Sequence, residues 1–291
     1  MHKLKQNIGV DPAVLINYTK SQAGQDLFVI CLTHGKQQGR WLELGADGPV
    51  EDNNTYVLEK HFGWSGDSIE LLNPAHSDRR KIWTTFYNNV KDCFNGNHPD
   101  GWIDDPENLQ SLPQHIQDDF INIHEYHKIM ANHLDLPTVV LPKDDWSVQR
   151  PNANFIIADA ALIDYSKLSG PYDYLQVDVD STYKSLKCLE HAIACHEFSV
   201  VTFEHDYFKF TTENDYCRSE SRRIMNDHGY VMLANDVTCE PSRGWTIDNR
   251  PIYFEDWYVH PARVDAETIK RYSCITADLR PKYYQEILFD F

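Results

Sequence analysis

Five short apolar runs, each closed by an acid or a turn residue, constrain the fold of this chain more than any other feature. They are WLELG (41–45), DSIEL (67–71), NFIIAD (154–159), DYLQVDV (173–179) and SVVTFE (199–204). Near-continuous apolar runs of this length read as strands covered on both faces. Helical spacing lies between them, in Val57, Leu58 and Phe62 and again in Leu186, Leu189 and Ile193. Residues 219–228, followed by Gly229, read as a helix with its stop. Strands alternating with helices predict an open, mostly parallel α/β sheet. Runs at 230–234 and 252–259 complete it as an antiparallel edge.

The remaining chain bounds the partners. With 291 residues and 42% hydrophobic content it is long enough for one large domain, 1–291, with a buried core. Residues 88–150 are too long and polar for an ordinary connection and are read as an inserted cap or lid. No apolar stretch approaches the ~20 residues of a membrane span. The first residues lack the apolar core of a signal peptide, and seven scattered cysteines without a CxxC pair suit a reducing, cytoplasmic setting. A formal net charge of −17 repels nucleic acid and anionic membranes as general partners. A local basic group such as Arg79, Arg80 and Lys81 can still hold an anion.

In open α/β sheets, ligands sit beyond the carboxyl ends of the strands. Glu43, Gly45, Ala46 and Asp47 lie at one such end and Glu70 at the next. Gly45 permits a tight turn, and an acid at Glu70 can accept both hydroxyls of a ribose. The loop lacks the G-x-G-x-x-G pattern, and Pro49 stands where a glycine is expected, so a nucleoside without pyrophosphate fits best. Glu43 alone also reads as an ordinary strand-end carboxylate. Asp178 and Asp180, after the fourth run, can hold a divalent cation or act as a base, or form a solvated loop. His205, within Glu204–His205–Asp206, can take a proton from a hydroxyl, or be a structural histidine bonded to a carboxylate. Asp256 and His260 border the same cleft in this reading.

The ordered set SQAGQD (21–26), LELGADG (42–48), NNTYVLEKHFGWSGDSIE (53–70), DYLQVDVDSTYKSL (173–186), TFEHDY (202–207) and FEDWYVHP (254–261) resembles the FkbM-type branch of class I S-adenosylmethionine-dependent methyltransferases. The resemblance covers about residues 18–261 without the insertion. It implies a Rossmann-like seven-stranded sheet and methyl transfer to a hydroxyl of a sugar, glycan or small metabolite. Carried over by position, Gln22, Glu43, Gly45, Ala46, Asp47, Asn54 and Thr55 fall in cofactor motifs and Glu70 at the ribose. Asp159, which ends a strand-like run, is placed near the adenine edge. VDVDSTYKSL is also similar to macrocin-type sugar O-methyltransferases, which implies a magnesium option at Asp178, His205 and Asp206. The second acid departs from the family's pattern, being Asp180 followed by Ser181.

The resulting expectation is an O-methyltransferase with His205 as base and Asp178 orienting it or holding the metal, Asp180 beside them. Trp102 and Tyr126 of the insertion offer faces on which a sugar acceptor can stack. Two rivals remain: a metal-dependent glycosyltransferase using the acids at 178–180, and a non-catalytic cofactor-binding protein of the same fold.

Overall fold

The computed structural model describes residues 18–50, 52–70, 114, 117, 146–179, 181–209, 211–238, 246–247, 250–251 and 253–273. Seven strands form one sheet: β1 (Arg40–Leu44), β2 (Ser65–Glu70), β3 (Ala153–Ile157), β4 (Tyr174–Val177), β5 (Val200–Glu204), β6 (Val231–Thr238) and β7 (Tyr253–Val259). Their order is β3-β2-β1-β4-β5-β7-β6. The pairs among β1 to β5 are all parallel. Strand β7 runs antiparallel to both β5 and β6. The antiparallel strand is therefore one place in from the edge, with β6 outside it. This is the open, mostly parallel α/β sheet expected from the alternating runs, with the seven strands in a Rossmann-like arrangement.

Pleating divides the core. Trp41, Tyr174, Val200, Trp257 and Val259 lie in a cluster with helix α1 (Gln25–Leu32) and with Val57, Leu58 and Phe62 of α2 (Tyr56–Phe62). Leu42, Leu44, Leu175, Val177, Val201 and Phe203 lie in a second cluster with α4 (Thr182–Cys195) and α5 (Thr212–Asp227). Leu186, Leu189 and Ile193 are the stripe that buries α4. Burial worth about 1.5–3 kcal/mol per side chain holds a helix that would be marginal alone. Caps set the helix starts: Ser181 accepts from Lys184 N–H and Thr211 from Asn214 N–H. The four-residue α3 (Trp146–Gln149) stacks Trp146 on Phe155 of edge strand β3, with ring centres 4.4 Å apart. Helix α6 (Ala266–Tyr272) closes the first face, with Tyr272 in its cluster.

The expected cap at 88–150, with Trp102 and Tyr126, lies outside the described residues apart from Gln114, Gln117 and 146–150, and so do Asp180 and the Arg79–Arg80–Lys81 group. Among the described residues no helix is long and apolar enough to cross a membrane. Strand β1 lies between β2 and β4: the chain runs outward from β1 through β2 to β3, then returns to β4 and runs the other way to β5. Above this switch point a cleft is expected at the carboxyl ends.

Gly45 shows how tightly the switch point is built. Its N–H donates to Ile69 O at 2.9 Å, and Asp178 N–H donates to Leu44 O at 2.9 Å. Gly45 has φ +81°, and a Cβ there would lie 1.5 Å from the carbonyl oxygen of Asp178. The glycine serves the approach of two backbones as well as the turn. Gly45→Ala should therefore lower stability by upward of about 3 kcal/mol, combining positive φ with a backbone collision. Thermal unfolding checks this; a midpoint unchanged from the parent would contradict so close a packing of the β1 and β4 loops.

Candidate active site at the carboxyl ends of the strands

The loop after β1 is held from inside. Asn53 Nδ2 donates to Ala46 O at 3.3 Å and Gly48 O at 3.0 Å, while its Oδ1 accepts from the N–H groups of Thr55 and Tyr56 at 3.0 and 2.8 Å. Thr55 and Ser68 hydroxyls donate to Glu43 Oε2 at 2.9 and 2.8 Å. Glu43 is buried, and burial raises its pKa against the opposing pull of Arg150. It thus lies under the loop and ties β1, β2 and α2 together. Ala46, Asn54 and Thr55 are buried in the same loop, and Asp47 is exposed. Asp47 N–H donates to Glu70 Oε2 at 2.9 Å, so the carboxyl ending β2 reaches across to the β1 loop.

Gln22 is half-buried in the bend before α1. That bend is set by Asp26, which accepts from the hydroxyls of Thr19 and Ser21 at 2.7 and 2.6 Å. Asp159 caps the short turn after β3, accepting from Ala161 N–H at 3.0 Å, and lies 3.4 Å from Lys184 Nζ.

The acids beyond β4, β5 and β7 form a cluster. Glu204 is the cross-strand partner of Glu255, and Asp178 lies one residue past the Val177–Phe203 pair. Glu204 interacts with both Asp178 and Asp206; burial and these two carboxyls push its pKa well above the usual carboxylate range. Burial likewise pushes Glu255 up to about 8, although Trp257 Nε1–H and Gln25 bond to it. Asp206 turns back at φ 52° and pairs with Lys209 at 2.7 Å.

His205 points the other way. Successive side chains of a strand leave opposite faces, so a residue next to Glu204 cannot share its cluster. His205 is fully buried; its Nδ1 accepts from Tyr207 N–H at 3.2 Å, and its Nε2 lies 3.4 Å from Asp256 and 3.9 Å from Asp236. Arg222 donates twice to Asp256, at 2.6 and 2.8 Å, and Arg218 twice to Asp236, at 2.6 and 2.7 Å. Burial opposes ionisation of Asp256, but His205 and Arg222 hold its carboxyl well below the usual range.

The magnesium set Asp178, His205 and Asp206 is accordingly divided: the two acids meet Glu204, and His205 meets Asp236 and Asp256. Among the described residues, the ligand atoms that come within 4.8 Å of one another belong to His205, Asp236 and Asp256. That trio fits a metal poorly. With Nδ1 accepting a hydrogen bond, the neutral ring carries its proton on Nε2, the atom a metal would need. Two guanidinium groups already balance the two carboxylates. Asp256, read from sequence as a cleft residue, is fully buried in this network. His260 is half-buried, its Nδ1 accepting from Ala262 N–H at 3.2 Å.

The residues that sequence reasoning missed are Arg150, Glu255 and the pair Arg218 and Arg222. Glu204 was visible as a strand-end acid like Glu43 and Glu70. Arg150 left no local signal, because its partners Pro49, Asn53, Thr55 and Glu59 are 91 to 101 positions away.

The chain matches no protein-family model and no curated protein. Among solved structures it is similar to a Clostridium thermocellum protein provisionally named an rRNA-methylase, at 8% identity and a TM-score of 0.40, covering 83% of this chain and 98% of that one.

Glu255 makes the acid cluster testable through stability. Its folded pKa is raised from 4.5 to about 8, so the folded state holds this proton more tightly. Its contribution is fully present below about pH 4.5 and is lost as pH rises through 8. Glu255→Gln should leave the thermal midpoint near that of the parent at pH 5 and raise it at pH 8.5. Equal shifts at both pH values would show that Glu255 is ionised throughout.

Proposed function

We propose that this protein is an S-adenosylmethionine-dependent methyltransferase that acts on a hydroxyl of a sugar, glycan or small metabolite, of the kind the FkbM-like motifs suggest. The observation that carries the reading is the acid-lined end of a sheet in the order 3-2-1-4-5-7-6. Asp178, Glu204 and Asp206 cluster beyond β4 and β5, and Glu70 ends β2 beside the β1 loop, at the carboxyl edge of the sheet where such folds receive a ligand. A ligand with a ribose, an ammonium and a sulfonium suits these carboxyls; a diphosphate would meet like charge. This favours methyl transfer over a nucleotide-sugar donor.

Two buried oxygens support the fit. Among the described residues, Asn54 Oδ1 in the β1 loop and Gln176 Oε1 on β4 have no hydrogen-bond partner. Gln176 pairs in register with Glu43 and stands two residues before Asp178. A buried orphan acceptor costs about 1–3 kcal/mol, which a donor on a ligand can recover. In this reading Glu70 accepts the ribose hydroxyls, Asp159 and the turn after β3 border the base, and Gln176 and Asn54 receive the ammonium. The cofactor supplies an activated methyl group.

The chain must then align an acceptor oxygen and remove its proton. Glu204 is the better base than His205: it ends β5 half-buried among Asp178 and Asp206, whereas His205 is enclosed on the opposite face. Its raised pKa is the property a proton acceptor needs near neutrality. Asp178 and Asp206 hydrogen-bond to its carboxyl and hold it in place.

Calorimetry with S-adenosylhomocysteine should show binding, whereas UDP-glucose should show none. Glu70→Ala should weaken the former by about 10- to 100-fold, the loss of a charged hydrogen-bond acceptor. No binding of S-adenosylhomocysteine by the parent would remove the methyltransferase reading. With a hydroxyl acceptor, turnover should rise with pH through a group above the usual carboxylate range, because Glu204 must lose its proton before it can take another. Glu204→Gln should abolish that limb; an unchanged profile would take the role away from Glu204.

A further inference from the structure

Arg150, which follows α3, is 1% exposed. It is charged, long and surrounded by rings: its guanidinium carbon lies 5.2 Å from the ring centres of Trp41 and Trp146 and 5.9 Å from that of Tyr56. One ion pair would satisfy the charge, and Glu59 provides it, at 2.5 Å from Nε. The other oxygen of Glu59 accepts from Asn152 N–H at 2.8 Å, so this pair already joins α2 to the start of β3.

The remaining donors do something else. Nη1 donates to Pro49 O at 3.0 Å and Asn53 Oδ1 at 2.8 Å, and Nη2 donates to Thr55 Oγ1 at 2.7 Å. All three acceptors are neutral, and all belong to the stretch between β1 and α2. Thr55 passes the contact on to Glu43 at 2.9 Å. The same stretch carries Asp47, whose N–H reaches Glu70, and the orphan Asn54. Its shape therefore sets where the ribose and ammonium contacts of the proposed cleft stand.

We infer that Arg150 is a positioning residue that holds the β1–α2 loop in its ligand-receiving form, and so sets the affinity for an adenosyl ligand. The inference rests on the methyltransferase reading above. A planar fork is required, because a lysine ammonium has the charge but cannot reach Glu59, Pro49, Asn53 and Thr55 together. Fixing a loop before binding lowers the ordering cost at the moment of binding, which appears as affinity.

The test measures S-adenosylhomocysteine affinity by calorimetry beside the thermal midpoint. Arg150→Lys should weaken binding by about tenfold or more. Asn53→Ala keeps the Arg150–Glu59 pair and covers the case in which Arg150→Lys does not fold; it should also weaken binding by about tenfold. Glu59→Gln is the structural control: it should lower the midpoint while the affinity stays within about twofold, since the loop contacts remain. Guanidinium ion at millimolar concentration should restore affinity to Arg150→Ala and leave the parent unchanged. Parent-like affinity in both Arg150→Lys and Asn53→Ala overturns the inference, as does an affinity loss in Glu59→Gln as large as theirs. Absence of binding by the parent itself is a different outcome, and sinks the methyltransferase reading first.

Discussion

The buried guanidinium of Arg150 ties the start of β3 to α2 and to the loop after β1. Removing one partner of such a buried pair costs about 3–5 kcal/mol, because the other charge is left without compensation. That dependence explains its aromatic surroundings. Trp41, Tyr56 and Trp146 exclude water and offer ring faces to the cation, while four hydrogen bonds take up four of its five N–H groups. The β1 loop has no regular structure of its own, so its form is inherited from Arg150 and from Asn53 within it.

The two faces of the sheet handle charge in opposite ways. On one, Glu43, Glu204 and Glu255 are pushed up by burial and, for Glu204 and Glu255, by neighbouring acids. Carboxyls raised in this way are common where groups exchange protons. On the other, Asp236 and Asp256 are matched by Arg218 and Arg222, and His205 closes the network. That side binds α5 to β6 and β7, a structural task. Asp236 reaches the arginines from a bulged part of β6, where its φ of 53° turns the strand.

Glu204 and His205 illustrate how far local reasoning reaches. Both stand at the end of a buried strand, and the ordinary proton affinity of an imidazole near neutrality made His205 the preferred base. The pleat separates them: Glu204 joins Asp178, and His205 joins Asp256. Period-two alternation was available in the sequence, but the faces could not be labelled without knowing which helices cover them. Strand positions were easier. Apolar runs at 41–45, 67–71, 154–159, 173–179 and 199–204 correspond to β1 to β5 within one or two residues at each end. Helix α5 begins at Thr212, seven residues before the sequence pattern suggested, because Thr211 caps a polar first turn that carries little hydrophobic periodicity.

The sequence by itself determined the strand-and-helix alternation, the acids that close the strands and the glycine at the first turn. These follow from spacing and side-chain chemistry within a few residues, where burial and backbone preference act locally. Only the tertiary structure decided that β7 enters between β5 and β6, that Glu204 and Glu255 face each other, that His205 turns away from the cleft, and that Arg150 holds the loop after β1. Each of these depends on which distant segments become neighbours in the sheet. The free energy of a buried charge is set by those neighbours, and one chain of residues read in order does not contain them.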